Sequence, residues 1–266
     1  MTDSQVHAQP RRALILSAGQ GKRLLPLTAD RPKCLIEFNQ RAVIEHQIDN
    51  LIAAGFEHVS VVVGYAAAQV EQRLHERYQH APIKIEFVFN PFFELADNLA
   101  SCWMARTAMT AGDFLIINGD TLFELAVLER LLASPARPIT LAIDRKTDYD
   151  ADDMKVVLEG NRLVRVGKQL DLQVVNGESI GMMAFRGEGG ALFYSALERI
   201  MRTPEALTRW YLSVIDELAA TGEVFAQSIE GLRWAELDFP HDLDQARRLI
   251  EQTTAATQAT SDVRLL

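Results

Sequence analysis

From Arg12 onward the apolar residues recur in two rhythms. Ala13–Ser17 and Val59–Val63 are short continuous runs, the second β-branched, as in strands buried on both faces. Between them Val43, Ile44, Ile48, Leu51 and Ile52 fall at helical spacing, and Gly55 follows as a C-cap. This predicts a βαβ unit. Gln69–Tyr78 predicts the next helix, Ile83–Phe89 a third strand, Asn90–Asn98 a loop, Leu99–Met109 a helix and Asp113–Asn118 a fourth strand ending in Gly119-Asp120. Such alternation predicts an α/β, Rossmann-like, doubly wound and mostly parallel sheet.

After Arg137 the rhythm changes. Ile139–Ile143, Lys155–Glu159 and Leu163–Val166 read as strands separated by turn residues, a mixed or antiparallel extension of the sheet. A strand at Ser179–Phe185, helices around Ala191–Met201 and Leu207–Thr221, a strand pair near Val224–Leu237 and a helix at Asp242–Gln252 complete the pattern. With no internal repeat and no Pro/Gly/Ser linker, residues 12–252 read as one domain between a flexible N-terminus (1–11) and a flexible C-terminal tail (253–266).

Composition narrows the function classes. A net charge of −9 argues against nucleic-acid partners, because neutralising a phosphate backbone needs a basic face. No run approaches the ~18 apolar residues of a membrane span, and the N-terminus lacks an apolar targeting segment, so a soluble, cytoplasmic protein is expected. Two cysteines, Cys34 and Cys102, without CxxC spacing point to a reduced setting. The six histidines form no HxxxH or Cys/His cluster, which disfavours zinc. Oligomeric state is left open, a homo-oligomer included.

Against this acidic background one basic loop stands out. Leu16-Ser17-Ala18-Gly19-Gln20-Gly21-Lys22-Arg23 follows the first strand, where open α/β sheets bind phosphorylated ligands. Glycines let main-chain N–H groups approach a phosphate, and Lys22, Arg23 and Lys33 add charge. Walker spacing fails because Arg23 follows Gly21-Lys22, and the dinucleotide fingerprint fails because Leu24 stands at the third small position. Asp120 and Asp238 each follow an apolar strand, and parallel strand ends would bring both to one sheet edge. Two carboxylates suit Mg²⁺, although Asp120 after Gly119 also reads as a turn residue.

The run Leu16–Leu24 with Pro26-Leu27-Thr28 and Arg31-Pro32-Lys33 resembles the signature of the nucleotidyltransferase superfamily that makes NDP-sugars and CDP-alcohols. Val62-Val63-Gly64-Tyr65, Asn118-Gly119-Asp120 and Glu236-Leu237-Asp238 follow in that family's order. The resemblance implies the nucleotidyltransferase fold, Arg23 and Lys33 as catalytic cations, and Asp120 and Asp238 as Mg²⁺ ligands. It also implies an NTP-binding surface of Leu16–Lys22, Gly64, Tyr65 and Asn118. Asn90-Pro91, Ala96–Ser101, Asp152–Val156, Val166–Lys168 and Gly177–Met182 are similar to CTP-dependent transferases acting on phosphocholine, inositol phosphate or aminoethylphosphonate.

The candidate acceptor set is Asn98, Ser101, Lys155, Lys168, Glu178, Gly181 and Trp210. Lys168 and Lys155 suit the acceptor's phosphate, whereas Asn98 and Ser101 read equally as helix caps. A quaternary ammonium would call for an aromatic cage from Trp103, Trp210, Tyr211 or Trp234, although core packing is the favoured reading of any one of them. A primary ammonium would be met by Glu178 or by an acid in Asp150–Asp153. The expected partners are an NTP, CTP by the resemblance, and a small phosphorylated acceptor. A sugar-1-phosphate nucleotidyltransferase and a non-catalytic NTP-binding module stand as the alternatives.

Overall fold

The computed structural model describes residues 9–263, with side chains through residue 253. Most of the expected N-terminal segment, residues 1–8, lies outside the described residues, as do the last three of the tail, 264–266. Along β1 (Arg12–Leu16), Leu14 joins one buried cluster while Ala13 and Ile15 join another, as alternate side chains of a strand covered on both faces must. The long signature loop then leads into a hairpin of β2 (Glu37–Phe38) and β3 (Arg41–Ala42), turning at Asn39 and Gln40, both with positive φ.

Next come α1 (Val43–Ala53), β4 (His58–Val63), α2 (Ala67–Tyr78), β5 (Lys84–Phe89) and α3 (Asn98–Met104). The helix expected over Leu99–Met109 breaks after Ala105 into a 3-10 turn, Arg106–Thr110. Then follow β6 (Phe114–Asn118), β7 (Thr121–Phe123), α4 (Leu125–Leu132), β8 (Ile139–Asp144), β9 (Lys155–Glu159), β10 (Arg162–Gly167) and β11 (Gly177–Phe185). The chain ends with α5 (Gly189–Ile200), α6 (Leu212–Ala219), β12 (Val224–Ser228), β13 (Trp234–Glu236) and α7 (Asp242–Val263).

Nine strands form one sheet in the order β5-β4-β1-β6-β11-β8-β12-β10-β9. β5, β4, β1 and β6 are parallel, β11 runs antiparallel to β6 and β8, and β12 is parallel to β8. The mixed extension expected after Arg137 is therefore β8–β12, and all nine residues of its central strand β11 are buried. Phe185 stacks on Phe114 with ring centroids 4.7 Å apart and meets Phe193 at 5.0 Å. Phe185→Ala is expected to cost about 3–5 kcal/mol, measured as a shift in the urea unfolding midpoint at unchanged slope.

Three expectations change. The pair near Val224–Leu237 is not a pair: β12 joins the main sheet beside β8, and β13 runs antiparallel to β7 in a sheet of two strands. The helix α4 had no counterpart in the sequence reading, because its eight residues are short for a periodicity. The closing helix, expected to stop at Gln252 ahead of a flexible tail, runs on to Val263.

Candidate active site

The signature loop crosses the carboxyl ends of the parallel strands and is pinned there by main-chain bonds. Ser17 N donates to Val62 O (2.9 Å), Tyr65 N to Ala18 O (2.9 Å) and Gly119 N to Leu16 O (3.0 Å). Leu16, Ser17 and Ala18 thus form the floor where β1, β4 and β6 end. Gly64 and Gly119 are required by this crossing. A Cβ at Gly64 would lie 2.6 Å from Ala18 O, and one at Gly119 would lie 2.6 Å from Leu16 O.

Beyond the floor the loop folds on itself. Buried Thr28 donates from Oγ1 to Gly21 O (2.9 Å), Gln20 Nε2 to Thr28 O (3.0 Å) and Lys33 N to Gln20 O (3.2 Å). From α2's side, Tyr65 OH donates to Ala29 O and Gln69 Nε2 to Asp30 O. Gly21 has φ +80°, and a Cβ there would meet the Lys33 side chain at 2.8 Å. Nothing stands within 4 Å of a Cβ at Gly19. Among the described residues the N–H groups of Gly19, Gln20 and Gly21 donate to no protein acceptor, which leaves a compact run of free donors. Gln20 and Lys22 border a concavity of about 300 Å³ whose far side is residues 93–97 and Leu207–Thr208.

Asp120 and Asp238 converge, but not as parallel strand ends. Asp120 precedes β7 and Asp238 follows β13, and the antiparallel pairing of Thr121 with Glu236, with Leu237 N donating to Asp120 O (3.1 Å), brings them together. Lys33 Nζ lies between the carboxylates, 2.7 Å from Asp120 Oδ2 and 2.8 Å from Asp238 Oδ1. Burial alone would lower the Lys33 ammonium, yet the two acids outweigh it and hold the ammonium above its ordinary range. Burial likewise works against Asp238, and the Lys33 and Arg23 charges overcome it to depress the acid.

Around this pair the charges continue as a chain. Arg23 reaches Asp238 Oδ2 at 3.3 Å and Asp152 Oδ1 at 3.6 Å, and Asp152 also takes Lys168 Nζ at 3.2 Å. Asp152 therefore links the loop's arginine to the lysine of β10's end, a role that its place in a run of acids did not reveal. Glu236 was also missed; two residues before Asp238 on a strand, it shares that face. Its residue keeps exposed surface, yet enclosure of the carboxyl by protein, then the like charges of Asp120 and Asp238, raise it above the usual range.

The other acceptor candidates divide. Lys168 Nζ stands 4.7 Å above the half-exposed Trp210 ring. Glu178, 5% exposed, accepts from Lys146 at 2.9 Å, and Lys146 also reaches Asp153 at 2.8 Å. Burial raises the Glu178 carboxyl to about 7 despite Lys146. Gly181, φ +72°, has no room for a Cβ beside the Asn118 amide. Asn118 itself is turned inward, its Oδ1 taking the Tyr211 hydroxyl at 3.2 Å.

Lys155 is buried, with Nζ on the carbonyls of Lys168 (2.9 Å) and Asp153 (3.3 Å), where it braces the strand end behind the cleft. Asn98 Oδ1 accepts from Tyr211 N, and buried Ser101 Oγ from Asn90 Nδ2, so both tie segments together instead of capping α3. Of the aromatic candidates, Tyr211 is fully buried, Trp103 packs on the core under Arg106, and Trp234 donates from Nε1 to Asp144 Oδ2. Between Asp238 and Glu178 opens a cavity of about 410 Å³. Its walls carry Asp144, Asp150, Asp152, Asp153, Glu178 and Glu236 against Lys146.

The donors at this pair suit a divalent ion bound without a full protein cage. Two carboxylates already converge on one cation, the Lys33 ammonium, and Asp120 Oδ1 is buried with no hydrogen-bond partner among the described residues. No group of three or more His, Cys, Asp or Glu able to hold a metal occurs among those residues. A pair without a cage fits Mg²⁺, which keeps waters and phosphate oxygens in its shell.

The model of the family described as nucleotidyl transferase matches residues 12–153, which span the loop and Asp120. The chain belongs to that family. The chain is 32% identical over 251 residues to CMP-5'-(3-aminopropyl)phosphonate synthase of Streptomyces rubellomurinus, covering 90% of the chain and 38% of that protein. It is 27% identical to the mannose-1-phosphate guanylyltransferase catalytic subunit beta of Danio rerio, covering 87% of the chain and 62% of the relative. The chain thus spans less than two thirds of these relatives. Its fold is that of the inositol-1-phosphate CTP transferase from T. maritima, with TM-score 0.79 at 22% identity, covering 93% of this chain and 97% of the other. Among the described residues no helix is long and apolar enough to cross a membrane.

Proposed function

We propose that this nucleotidyltransferase moves a cytidylyl group from CTP to a phosphonate or phosphate oxygen of a small acceptor that carries an ammonium group. The acceptor oxygen attacks the α-phosphorus, the bond to the β-phosphate oxygen breaks, and its electron pair leaves on pyrophosphate. The nucleophile is already ionised near neutral pH, so positioning and charge neutralisation carry the catalysis.

The free N–H groups of Gly19–Gly21, with Lys22, suit the triphosphate, while Arg23 and Lys33 neutralise charge that develops on it. Asp120 and Asp238 would hold Mg²⁺, which supplies Lewis-acid neutralisation of phosphate oxygens when bound. Lys168, beside Trp210, suits the acceptor's anionic end.

The observation that carries the acceptor reading is the carboxylate wall of the 410 Å³ cavity beside the Asp120–Asp238 pair. A neutral polyol or sugar adds no charge to a wall whose acids outnumber its cations, whereas an ammonium can join Lys146 at Glu178 and Asp153. The cytidylyl and aminoalkyl parts are supported by the Streptomyces relative, whose name carries both. The guanylyltransferase relative supports the second reading, a sugar-1-phosphate acceptor.

A matrix of the four NTPs against aminoethylphosphonate, phosphocholine, inositol-1-phosphate and glucose-1-phosphate, read by pyrophosphate release, tests the proposal. Turnover with CTP and aminoethylphosphonate is expected; turnover with glucose-1-phosphate alone would overturn it, and no turnover with any pair would favour a binding module.

Acid dependence follows from Glu178. Its folded-state carboxyl stands near 7 against an ordinary 4.5, so its contribution to stability is present below about pH 4.5 and is lost as pH rises through about 7. Ionised Glu178 is the form that pairs with an ammonium. The acceptor KM is therefore expected to fall as pH rises through about 7, and Glu178→Gln to flatten that profile. An identical profile in the variant would remove Glu178 from the acceptor site.

A further inference from the structure

Gln47 lies on the buried face of α1 and is 1% exposed. Its Nε2 donates to Asn118 O at 2.7 Å and to Thr121 O at 2.8 Å. Those carbonyls bracket Gly119-Asp120. One primary amide thus spends both protons across the ends of a two-residue turn, and it does so from a helix, the stiffest kind of support available to it.

The other end of the amide has no such role. Gln47 Oε1 is buried without a hydrogen-bond partner among the described residues. Both contacts of the nitrogen are acceptors, so exchanging the amide's O and N would break them and is excluded. A buried acceptor left unpaired is unfavourable, and a methionine of the same length would avoid it. The cost makes sense where the two donations do something that packing alone would not.

What they fix is the backbone of Asp120. Other restraints share the turn: Gly119 N on Leu16 O, Leu237 N on Asp120 O, Thr121 Oγ1 on Ile180 O, and the Tyr211 hydroxyl on the Asn118 side chain; Gln47 alone spans both of its ends. The Asp120 carboxylate itself is held by Lys33, which the proposed reaction calls to the phosphates, and its Oδ1 has no protein partner. When Lys33 turns away, the direction of this carboxylate depends on the turn that carries it.

We infer that Gln47 is a positioning residue, stapling the 118–121 turn so that Asp120 points into the metal site. The inference rests on the reading of Asp120 as a metal ligand.

The test compares wild type with Gln47→Met and Gln47→Glu for binding of Mn²⁺ in the presence of CTP, followed by water-proton relaxation, beside CTP binding without metal. Weakening of the Mn²⁺ affinity by roughly tenfold to a hundredfold is expected, the usual effect of losing a residue that orients a ligand, with metal-free CTP binding changed less than about threefold. Equal Mn²⁺ affinity in a folded variant overturns the inference, as does equal weakening of both measurements, which marks general damage. If wild type binds no Mn²⁺ with CTP, the metal reading fails first and takes the inference with it.

A second measurement needs no variant. The Gln47 side-chain amide protons of wild type are expected to stay protected from hydrogen exchange with and without Mg²⁺ and CTP. Exchange at the rate of a free glutamine in the Mg²⁺-CTP complex overturns the staple.

Discussion

Asp120→Ala is expected to lower turnover at saturating CTP and Mg²⁺ by roughly 10³-fold while the circular dichroism spectrum stays that of wild type. The magnitude is that of losing the ion whose charge stabilises the transition state, which Asp120 would hold. Asp120 suits so large an effect because its Oδ1 is buried and unpaired while its Oδ2 shares Lys33 with Asp238. The fold should tolerate the change, since the main chain of the turn keeps its bonds to Leu16 and Leu237. Pyrophosphate release over a Mg²⁺ titration is the measurement. Turnover within tenfold of wild type would remove Asp120 from the metal site.

Lys33→Ala should cost roughly 10²–10³ in kcat/KM, read in the same assay, because it deletes a cation aimed at the reacting phosphates. A second effect distinguishes this lysine from an ordinary phosphate ligand. Without it, Asp120 and Asp238 face each other with only Arg23 on the far oxygen of Asp238. The metal-free variant should therefore melt at a lower temperature than wild type, and Mg²⁺ alone should restore most of the loss by taking the ammonium's place. In wild type, Mg²⁺ without nucleotide should shift the melting temperature less, since Lys33 already fills the gap. A variant whose melting temperature ignores Mg²⁺ would show that the two acids do not form a cation site.

Much of this arrangement was legible in the residues because it depends on local pattern. β1, α1 and β4 were readable because continuous apolar runs and a helical stripe alternate over a few dozen residues, and Gly55 does close the helix. The loop was readable because four cations and two glycines interrupt an acidic chain. The meeting of Asp120 with Asp238 was anticipated for the wrong reason. Three-residue strands such as β7 and β13 carry no periodicity, and their antiparallel pairing is decided by contacts far apart in sequence.

The same limit hid the partners of single side chains. Nothing in Asp150–Asp153 tells which acid reaches Arg23 and Lys168, and nothing in the α1 stripe marks Gln47 as different from a solvated polar residue. Lys155, Asn98 and Ser101 carried the right chemistry for an acceptor, yet Lys155 Nζ, Asn98 Oδ1 and Ser101 Oγ each bond to another part of the chain.

The β7–β13 ladder also sets an order of events during synthesis. Lys33 and Asp238 lie 205 positions apart, so the signature loop leaves the ribosome long before the acid that completes the pair. A nascent chain that ended before Trp234 would present the loop, Lys33 and Asp120 with β7 unpaired. The pair therefore closes only once β13 has been made, and a product interrupted before Trp234 is left without the second of the two carboxylates that flank Lys33.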